Sequence, residues 1–328
     1  MRLDRLRFFS VCLALFALLG GLGASAMAQA QDYPNKPIRL VLAQGPGGSS
    51  DVVARLLSQR LGEALGQPVL VDHRPGANGL IAVDTVVKAP PDGYTLFLGA
   101  TPYLAINPAL YKRLPYDPVV DFSHVALLGS TYYAVLVPTT SPANSVKEFI
   151  ALAKSKPGAL NYGAGGTGAH ANIGIFMAGA DIDIKHIPYK SNTQALMDLI
   201  GGRVDLIFES TPTAIPQVRS GKVKAIGITS PERIARYAEL PTVAESGVPG
   251  YEFYAFISIH APAGVPAPIL NRLSTEILKI MARPDVAEQF RTLGIEPKSG
   301  GPEALVKLVQ RDIAYYKKAF VQAGIPSE

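Results

Sequence analysis

Two glycine-rich stretches constrain this chain more than any other feature. Gly45-Pro46-Gly47-Gly48-Ser49-Ser50 and Gly163-Ala164-Gly165-Gly166-Thr167-Gly168 each end a strand-like run and open a stretch with helical spacing. Glycine lets a backbone turn sharply and approach a ligand closely. The first N–H groups of a helix lack internal partners and carry partial positive charge, so such a loop suits an anion. One loop of this kind is common. Two, at equivalent positions of successive α/β units, suggest a cleft where both helix N-termini face one anion. A pair of tight strand-to-helix turns is the plainer alternative, and the residues leave both open.

The surrounding pattern is regular. Ile38 to Leu42 is a short apolar run that reads as a buried strand. Val52, Val53, Leu56, Leu57, Leu61 and Leu65 then share one side of a helix, with Ser49 or Ser50 as N-cap and Asp51 in the first turn. Residues 69–71 form the next strand, 80–88 a helix, and 94–98 a third strand, separated by Arg74-Pro75-Gly76 and Pro90-Pro91-Asp92-Gly93. This alternation predicts a parallel sheet with right-handed crossovers. The grammar restarts with strands over 132–137, 160–162, 182–187, 204–208 and 225–229. Helices are expected over 146–153, from the second glycine loop to 177, and over 193–200 and 212–219. After a strand over 256–259 the chain reads as helical, with Pro268, Pro284 and Pro302 at helix starts. The last helix carries an apolar stripe of Leu305, Leu308, Val309, Ile313, Tyr316 and Phe320. It is expected to dock on the core of the first unit.

The N-terminus adds a location. Arg2, Arg5 and Arg7 precede the almost wholly apolar residues 8–22, and Ala26-Met27-Ala28 follows. This order predicts a cleavable export signal over residues 1–28, and the run is too short to span a membrane. Phe9-Ser10-Val11 before Cys12 is no lipobox. Export leaves cytoplasmic ATP and NAD behind and makes solute capture a leading candidate. Removing 28 of 328 residues leaves 300, enough for two domains. That segment carries a net +2, so the chain's +5 falls to +3. Basic residues form no Lys/Arg cluster of the kind that tracks a phosphate backbone, which argues against nucleic acid. Cys12 is the only cysteine, so the exported chain has no disulfide, thiol nucleophile or cysteine metal site.

Chemistry-bearing patterns are sparse. Gly163, Gly165 and Gly168 fit a dinucleotide fingerprint, but the next strand ends in His186-Ile187-Pro188-Tyr189, with no acidic residue for a ribose. His73, His124, His170, His186 and His260 show no metal-ligand spacing, and no cofactor is expected. No Gly-x-Ser-x-Gly elbow is present. His170, just after the second loop, is a candidate ligand contact or a capping histidine. Asp51 reads as part of a helix N-terminus and not as a base. Glu209 follows a strand and would lie at the carboxyl edge of the second sheet, where α/β sheets bind ligands. A plain surface carboxylate is its alternative.

A set of short motifs runs along the chain. They are Tyr33-Pro34-x-Lys36-Pro37-Ile38-Arg39, Pro46-Gly47-Gly48-Ser49-Ser50-Asp51, Arg74-Pro75-Gly76-Ala77 and Pro91-Asp92-Gly93-Tyr94-Thr95-Leu96. Ile106-Asn107-Pro108-x-Leu110-Tyr111, Leu114-Pro115-Tyr116-Asp117-Pro118, His186-Ile187-Pro188-Tyr189-Lys190 and Leu240-Pro241-Thr242-Val243-Ala244-Glu245 complete the set. Together they cover the exported chain in order, and in them it resembles the Bug (tripartite tricarboxylate) extracytoplasmic solute receptors.

The resemblance implies a fold of the periplasmic binding protein type II kind: two α/β domains, a ligand cleft between them and two crossover segments. The expected division is residues 32–132 plus 254–328 for the first domain and 133–253 for the second, with crossings near 133–137 and 256–260. It also implies a non-enzymatic periplasmic receptor that binds a small carboxylate and delivers it to a membrane transporter or sensor protein. A monomer is expected. The carboxylate would be held by Gly47, Gly48, Ser49 and Ser50 of the first loop and Gly165, Gly166 and Thr167 of the second. Departures from the family pattern are Ala43-Gln44 before the first loop, Ser191-Asn192 after Lys190, Ile173-Gly174 on the second-loop helix, and Glu209-Ser210 after the fifth-strand motif. The first and last of these predict a more polar distal pocket. Gln44, Tyr103 and Glu209 are accordingly the candidate specificity contacts, with His170 a candidate ligand contact. The competing expectation is a secreted α/β enzyme using one glycine loop as an anion or oxyanion site, although no positioned nucleophile or base is visible.

Overall fold

The computed structural model describes residues 33–325 apart from Gly48 and Gly166, with the side chains of Ser49 and Thr167 also outside the description. The export signal expected over residues 1–28 lies outside the described residues.

The first unit forms as its pattern predicts. Strand β1 (Ile38–Leu42) has four of its five residues buried, so it must lie between covered faces. It pairs in parallel with β2 (Val69–His73) on one side and β3 (Thr95–Ala100) on the other. Helices α1 (Ser49–Leu65) and α2 (Leu80–Val87) make the crossovers. Leu57 and Leu61 of α1 meet Leu40, Leu42, Leu96 and Leu98 in one core, on the side that the 3.6-residue spacing selects.

Beyond β3 the sheet turns antiparallel, which the sequence pattern did not indicate. After β3 come a π-helical turn (Pro102–Ile106) and the short α3 (Asn107–Leu110). Strand β4 (Phe122–Pro138) follows and is 17 residues long. At about 3.3 Å per residue it extends roughly 55 Å, far beyond a typical strand. Its first part pairs with β9 (Tyr254–Pro262), from Phe122↔Pro262 to Tyr132↔Tyr254. From Tyr133 onward its partners are β7 (Ile207–Ser210) and β8 (Val223–Ile228). A single strand thus serves both sheet regions, with the change of partner between Tyr132 and Tyr133. The sheet order is β10-β4-β9-β3-β1-β2, where β10 is Glu296–Gly300 and β7 and β8 join β4 off this path.

The second unit contains α4 (Val146–Ser155), β5 (Asn161–Gly165), α5 (Thr167–Ala180), β6 (Lys185–Tyr189), α6 (Asn192–Ile200) and α7 (Thr211–Arg219). Ser145 caps α4 by accepting from the Glu148 N–H at 3.1 Å. Strand β6 starts three residues later than its apolar run suggests. The Ile182 N–H closes onto Met177 O at the end of α5, and Ile184 is buried before pairing begins. Phe149, Phe176 and Phe208 fill the core of this unit.

Helices α8 (Ala267–Met281), α9 (Pro284–Thr292) and α10 (Pro302–Gln322) complete the chain. Helix α10 does not dock on the first core alone, as its stripe suggested. Leu305 and Val309 enter the core near β3 and β9, while Tyr316, Ala319 and Phe320 enter the core of the second unit. At 21 residues the helix is about 30 Å long, enough to reach both.

Candidate functional site

The first glycine loop is tied down from inside. Gly47 sits at φ +91°, a conformation that favours glycine. Its N–H donates to Asp51 Oδ2 at 3.0 Å. Arg55 Nε donates to the same oxygen at 3.1 Å, and His73 Nε2 meets Asp51 Oδ1 at 2.9 Å. Asp51 is 5% exposed, and the Gly47 amide, then Arg55, lower its pKa to about 2. It therefore clamps the loop to the end of β2, one turn into α1. Gln44 and Ser50 are half-buried beside this clamp. Gly48 and the Ser49 side chain lie outside the described residues.

The second loop has a parallel clamp made without charge. The Gly165 N–H donates to Asn192 Oδ1 at 2.9 Å, and Asn192 Nδ2 donates to Phe208 O at 2.9 Å. One carboxamide at the start of α6 thus joins the ends of β5 and β7. The approach is so close that a Cβ on Gly165 would lie 2.1 Å from the Ser191 carbonyl carbon. Asn192 is the site residue that sequence reading missed as a contact. The signal available was its departure from the family pattern at the start of a helix.

Beside the second loop lies a cavity of about 340 Å³, which no described residue of the first loop lines. Gly165, Gly168 and Ala169 bound it at the N-terminus of α5, with Asn192 beside them. Thr101 and Pro102 approach from the end of β3, Tyr133 from the partner change in β4, and Phe253 and Tyr254 from the approach to β9. Glu209 and Ser210 close it at the end of β7. Thr101 is fixed by accepting from the Phe256 N–H at 2.7 Å. The lining therefore comes from strand ends of both units, where open α/β sheets bind ligands.

Glu209 is the charged residue of this lining. It is 5% exposed, and burial raises its pKa. Oε1 accepts from the Ser210 N–H at 2.8 Å and from Ser210 Oγ at 2.9 Å. Oε2 is buried and accepts no well-formed hydrogen bond among the described residues, the Asn192 carboxamide beside the carboxyl being engaged with Gly165 and Phe208 O. The neighbouring Tyr133 phenol is pushed up to about 12 by burial and, secondly, by Glu209. No Lys, Arg or His lines the cavity among the described residues. An anion here would be met by backbone dipoles and hydroxyls, not by an ion pair.

The structure does not bring every sequence candidate to this cavity. Tyr103 is 7% exposed and packs against Phe97, its ring so close to Gly79 that a Cβ there would lie 2.2 Å from Cε1. It fills the core between β3 and α2. His170 Nδ1 pairs with the Tyr162 hydroxyl at 2.9 Å, and its ring lies 4.3 Å from that of His186. Burial and His186 both lower its pKa. His170 lines a separate hollow with Met177, Asp181 and Ile325. Gly165 and Glu209 are the candidates that share the cavity; Gly166 and the Thr167 side chain lie outside the described residues. A larger hollow of about 640 Å³ lies between α5 and α10, lined by Ile175, Val248, Tyr315 and Lys318, and neither glycine loop reaches it. Among the described residues no group of three or more His, Cys, Asp or Glu could hold a metal ion, and no helix is long and apolar enough to cross a membrane.

Comparison with known proteins agrees with this architecture. The model of the tripartite tricarboxylate transporter family receptor, TctC, matches residues 53–324. A UPF0065 protein from the tcbD-tcbE intergenic region of Pseudomonas sp. (strain P51) is 35% identical over 303 residues, covering 91% of this chain and 90% of that protein. Protein BugT of Bordetella pertussis is 32% identical over 284 residues, covering 86% and 87%. Among solved structures, an R. palustris protein with adipate superposes with a TM-score of 0.78 at 33% identity, covering 90% of this chain and 99% of that one. MatC from Rhodopseudomonas palustris with bound malate gives a TM-score of 0.72 at 30% identity, covering 88% and 99%. The chain belongs to the tripartite tricarboxylate transporter receptor family, whose members are solute-binding receptors and not enzymes.

Proposed function

We propose that this chain is an exported periplasmic receptor that captures a small carboxylate in the cavity at the N-terminus of α5 and presents it to a membrane transporter. The observation that carries the reading is the cavity's lining. Gly165, Gly168 and Asn192 from one unit line it with Thr101 and Pro102 from the other, together with first-turn residues of α5 and no cationic side chain among the described residues. Adipate and malate are the ligands of two solved relatives that cover nearly the same length. A carboxylate at a helix N-terminus is met by amides and by the positive end of the dipole.

The reading includes two lobes, residues 32–132 plus 254–328 and residues 133–253, hinged where β4 changes partners and where β9 begins. Closure about such crossings would narrow the cavity on its ligand. The protein would act as a monomer. Of the first loop, Gly47, Gly48, Ser49 and Ser50 would reach the ligand on closure, with Gln44 setting the polarity behind them. Gly166 and Thr167 would complete the second loop's contacts.

The test is a thermal-shift screen of mono- and dicarboxylates. A ligand that binds the native state alone raises apparent stability by about 2.7 kcal/mol at a hundredfold excess over Kd. Saturable stabilisation by a carboxylate recovered unchanged supports the receptor. Turnover of any member of the panel, or no stabilisation across it, refutes it.

A further inference from the structure

The mechanism of carboxylate capture leaves one group without a role: the buried Glu209 carboxyl. It lines the cavity meant for an anion, and no Lys, Arg or His lies there among the described residues to balance a second negative charge. The adjoining elements offer only neutral groups. Tyr133 comes from β4, Ser210 follows on β7, Asn192 comes from α6, Gly165 and Gly168 from the second loop, and Phe253 from the approach to β9. Tyr133 is the one titratable side chain among them, and burial keeps it a phenol. His170 of α5 is turned to Tyr162 and His186, and the Tyr254 hydroxyl is turned to Asp312 and Arg311 of α10, a cation that Asp312 pairs outside the lining.

The two oxygens of Glu209 are not equivalent. Oε1 takes both Ser210 donors, while Oε2 takes none. A proton on Oε1 would compete with those two bonds, so a proton belongs on Oε2. A carboxylate entering the cavity supplies the missing partner, because it is an acceptor only. Two carboxylates sharing one site without a cation cannot both stay ionised.

We propose that Glu209 receives a carboxylate of the ligand as a neutral carboxylic acid, donating a hydrogen bond through Oε2, so that binding takes up one proton. The proton comes from solvent, and no bond in the ligand breaks. This rests on the carboxylate reading above and deepens it. Glu209 selects ligands with an unprotonated acceptor oxygen at that end and rejects those that present an ammonium there.

Isothermal titration with adipate and malate tests it, in phosphate and in Tris, from pH 6 to pH 9. The buffer dependence of the enthalpy counts protons. The parent should take up about one proton per ligand on the alkaline side, with affinity falling about tenfold per pH unit there. Glu209→Gln keeps a donor at that position. It should bind with no proton uptake and less than about threefold change in Kd over the same range. Glu209→Ala, which keeps no donor, should bind about tenfold or more weakly at pH 6. Binding by the parent with no proton uptake at any pH overturns the inference and leaves the carboxylate reading intact. So does a Glu209→Gln protein that melts with the parent and no longer binds either diacid. If neither diacid binds parent or Glu209→Gln, the inference and the diacid form of the carboxylate reading fall together.

Discussion

Gly165 and Gly168 stand three residues apart and should respond oppositely to the same added methyl group. At Gly165 a Cβ would lie 2.1 Å from Ser191 C and 2.3 Å from Asn192 N. Both are backbone atoms, so no side chain can swing away. The start of α6 must retreat by about 1 Å or more to restore ordinary van der Waals contact. Retreat breaks the Gly165 N–H bond to Asn192 and strains the Asn192 bond to Phe208 O. Overpacking costs about 1–3 kcal/mol, and each lost hydrogen bond about 0.5–1.5 kcal/mol. Gly165→Ala should therefore destabilise by about 2–6 kcal/mol, lowering Tm by at least roughly 4 °C. At Gly168 nothing lies within 4 Å of the added Cβ, and the residue sits inside α5. Gly168→Ala should be neutral or stabilising by up to about 1 kcal/mol, through helix propensity. The open space there is the cavity, so the same variant should bind carboxylate more weakly while melting no earlier. Thermal denaturation followed by circular dichroism, then titration, separates the two. Equal Tm values for the two variants would refute the clamp. Unimpaired binding by Gly168→Ala would place the ligand elsewhere.

Two further outcomes follow from other parts of the chain. His124 and His260 are buried with ring centroids 4.9 Å apart, and burial lowers the pKa of both, that of His260 well below the usual value. The unfolded chain then binds protons, near the ordinary histidine pKa of about 6.5, that the folded chain refuses. Their effect is a loss of stability as pH falls from 7 to 5. His124→Leu should flatten that fall, by at most about 1.4 kcal/mol per pH unit, and parallel urea midpoints for parent and variant would count against it. N-terminal sequencing of the periplasmic fraction should give Gln29 or a residue close by, and an intact Met1 on membrane-bound protein would exclude cleavage.

Local patterns made the parallel half of the fold legible. The spacing of Val53, Leu57 and Leu61 marks the face of α1 that is buried, and the turn at Pro91-Asp92-Gly93 does precede β3. Strands over 132–137, 204–208, 225–229 and 256–259 were legible, but their antiparallel pairing and the first part of β4 were not, for a physical reason. Residues 122–131 of β4 are buried on both faces for much of their length, so they lack the alternation that marks a half-exposed strand. Strand β10 reads Glu-Pro-Lys-Ser-Gly and owes its state to pairing with β4, not to propensity. The stripe on α10 showed an apolar face but not its destination, because Leu305 and Phe320 look alike in sequence and reach different cores. At the site, glycine spacing located the second loop. What each glycine is for depended on partners far away in the chain. Gly165 faces Asn192, and the Tyr103 ring packs against Gly79.

The two loops share one device, and its chemistry differs in a way that bears on where an anion settles. In each, a side chain near the start of a helix accepts the glycine N–H and so fixes the turn before any ligand arrives. Preorganisation of this kind reduces the ordering cost of binding. At the first loop the acceptor is Asp51, which stays ionised far below neutral pH and is balanced by Arg55. At the second it is the neutral Asn192 carboxamide, so the clamp itself carries no charge, and the acidic group of that cavity is Glu209, whose pKa burial raises. A carboxylate approaching the second loop meets the positive end of α5 without facing a clamp of its own sign. Like charges about 5 Å apart cost about 3 kcal/mol at an effective dielectric constant of 20. Under the proposed carboxylate reading the second loop would set the primary carboxylate position, and the first loop would contribute on closure through amides that Asp51 does not occupy.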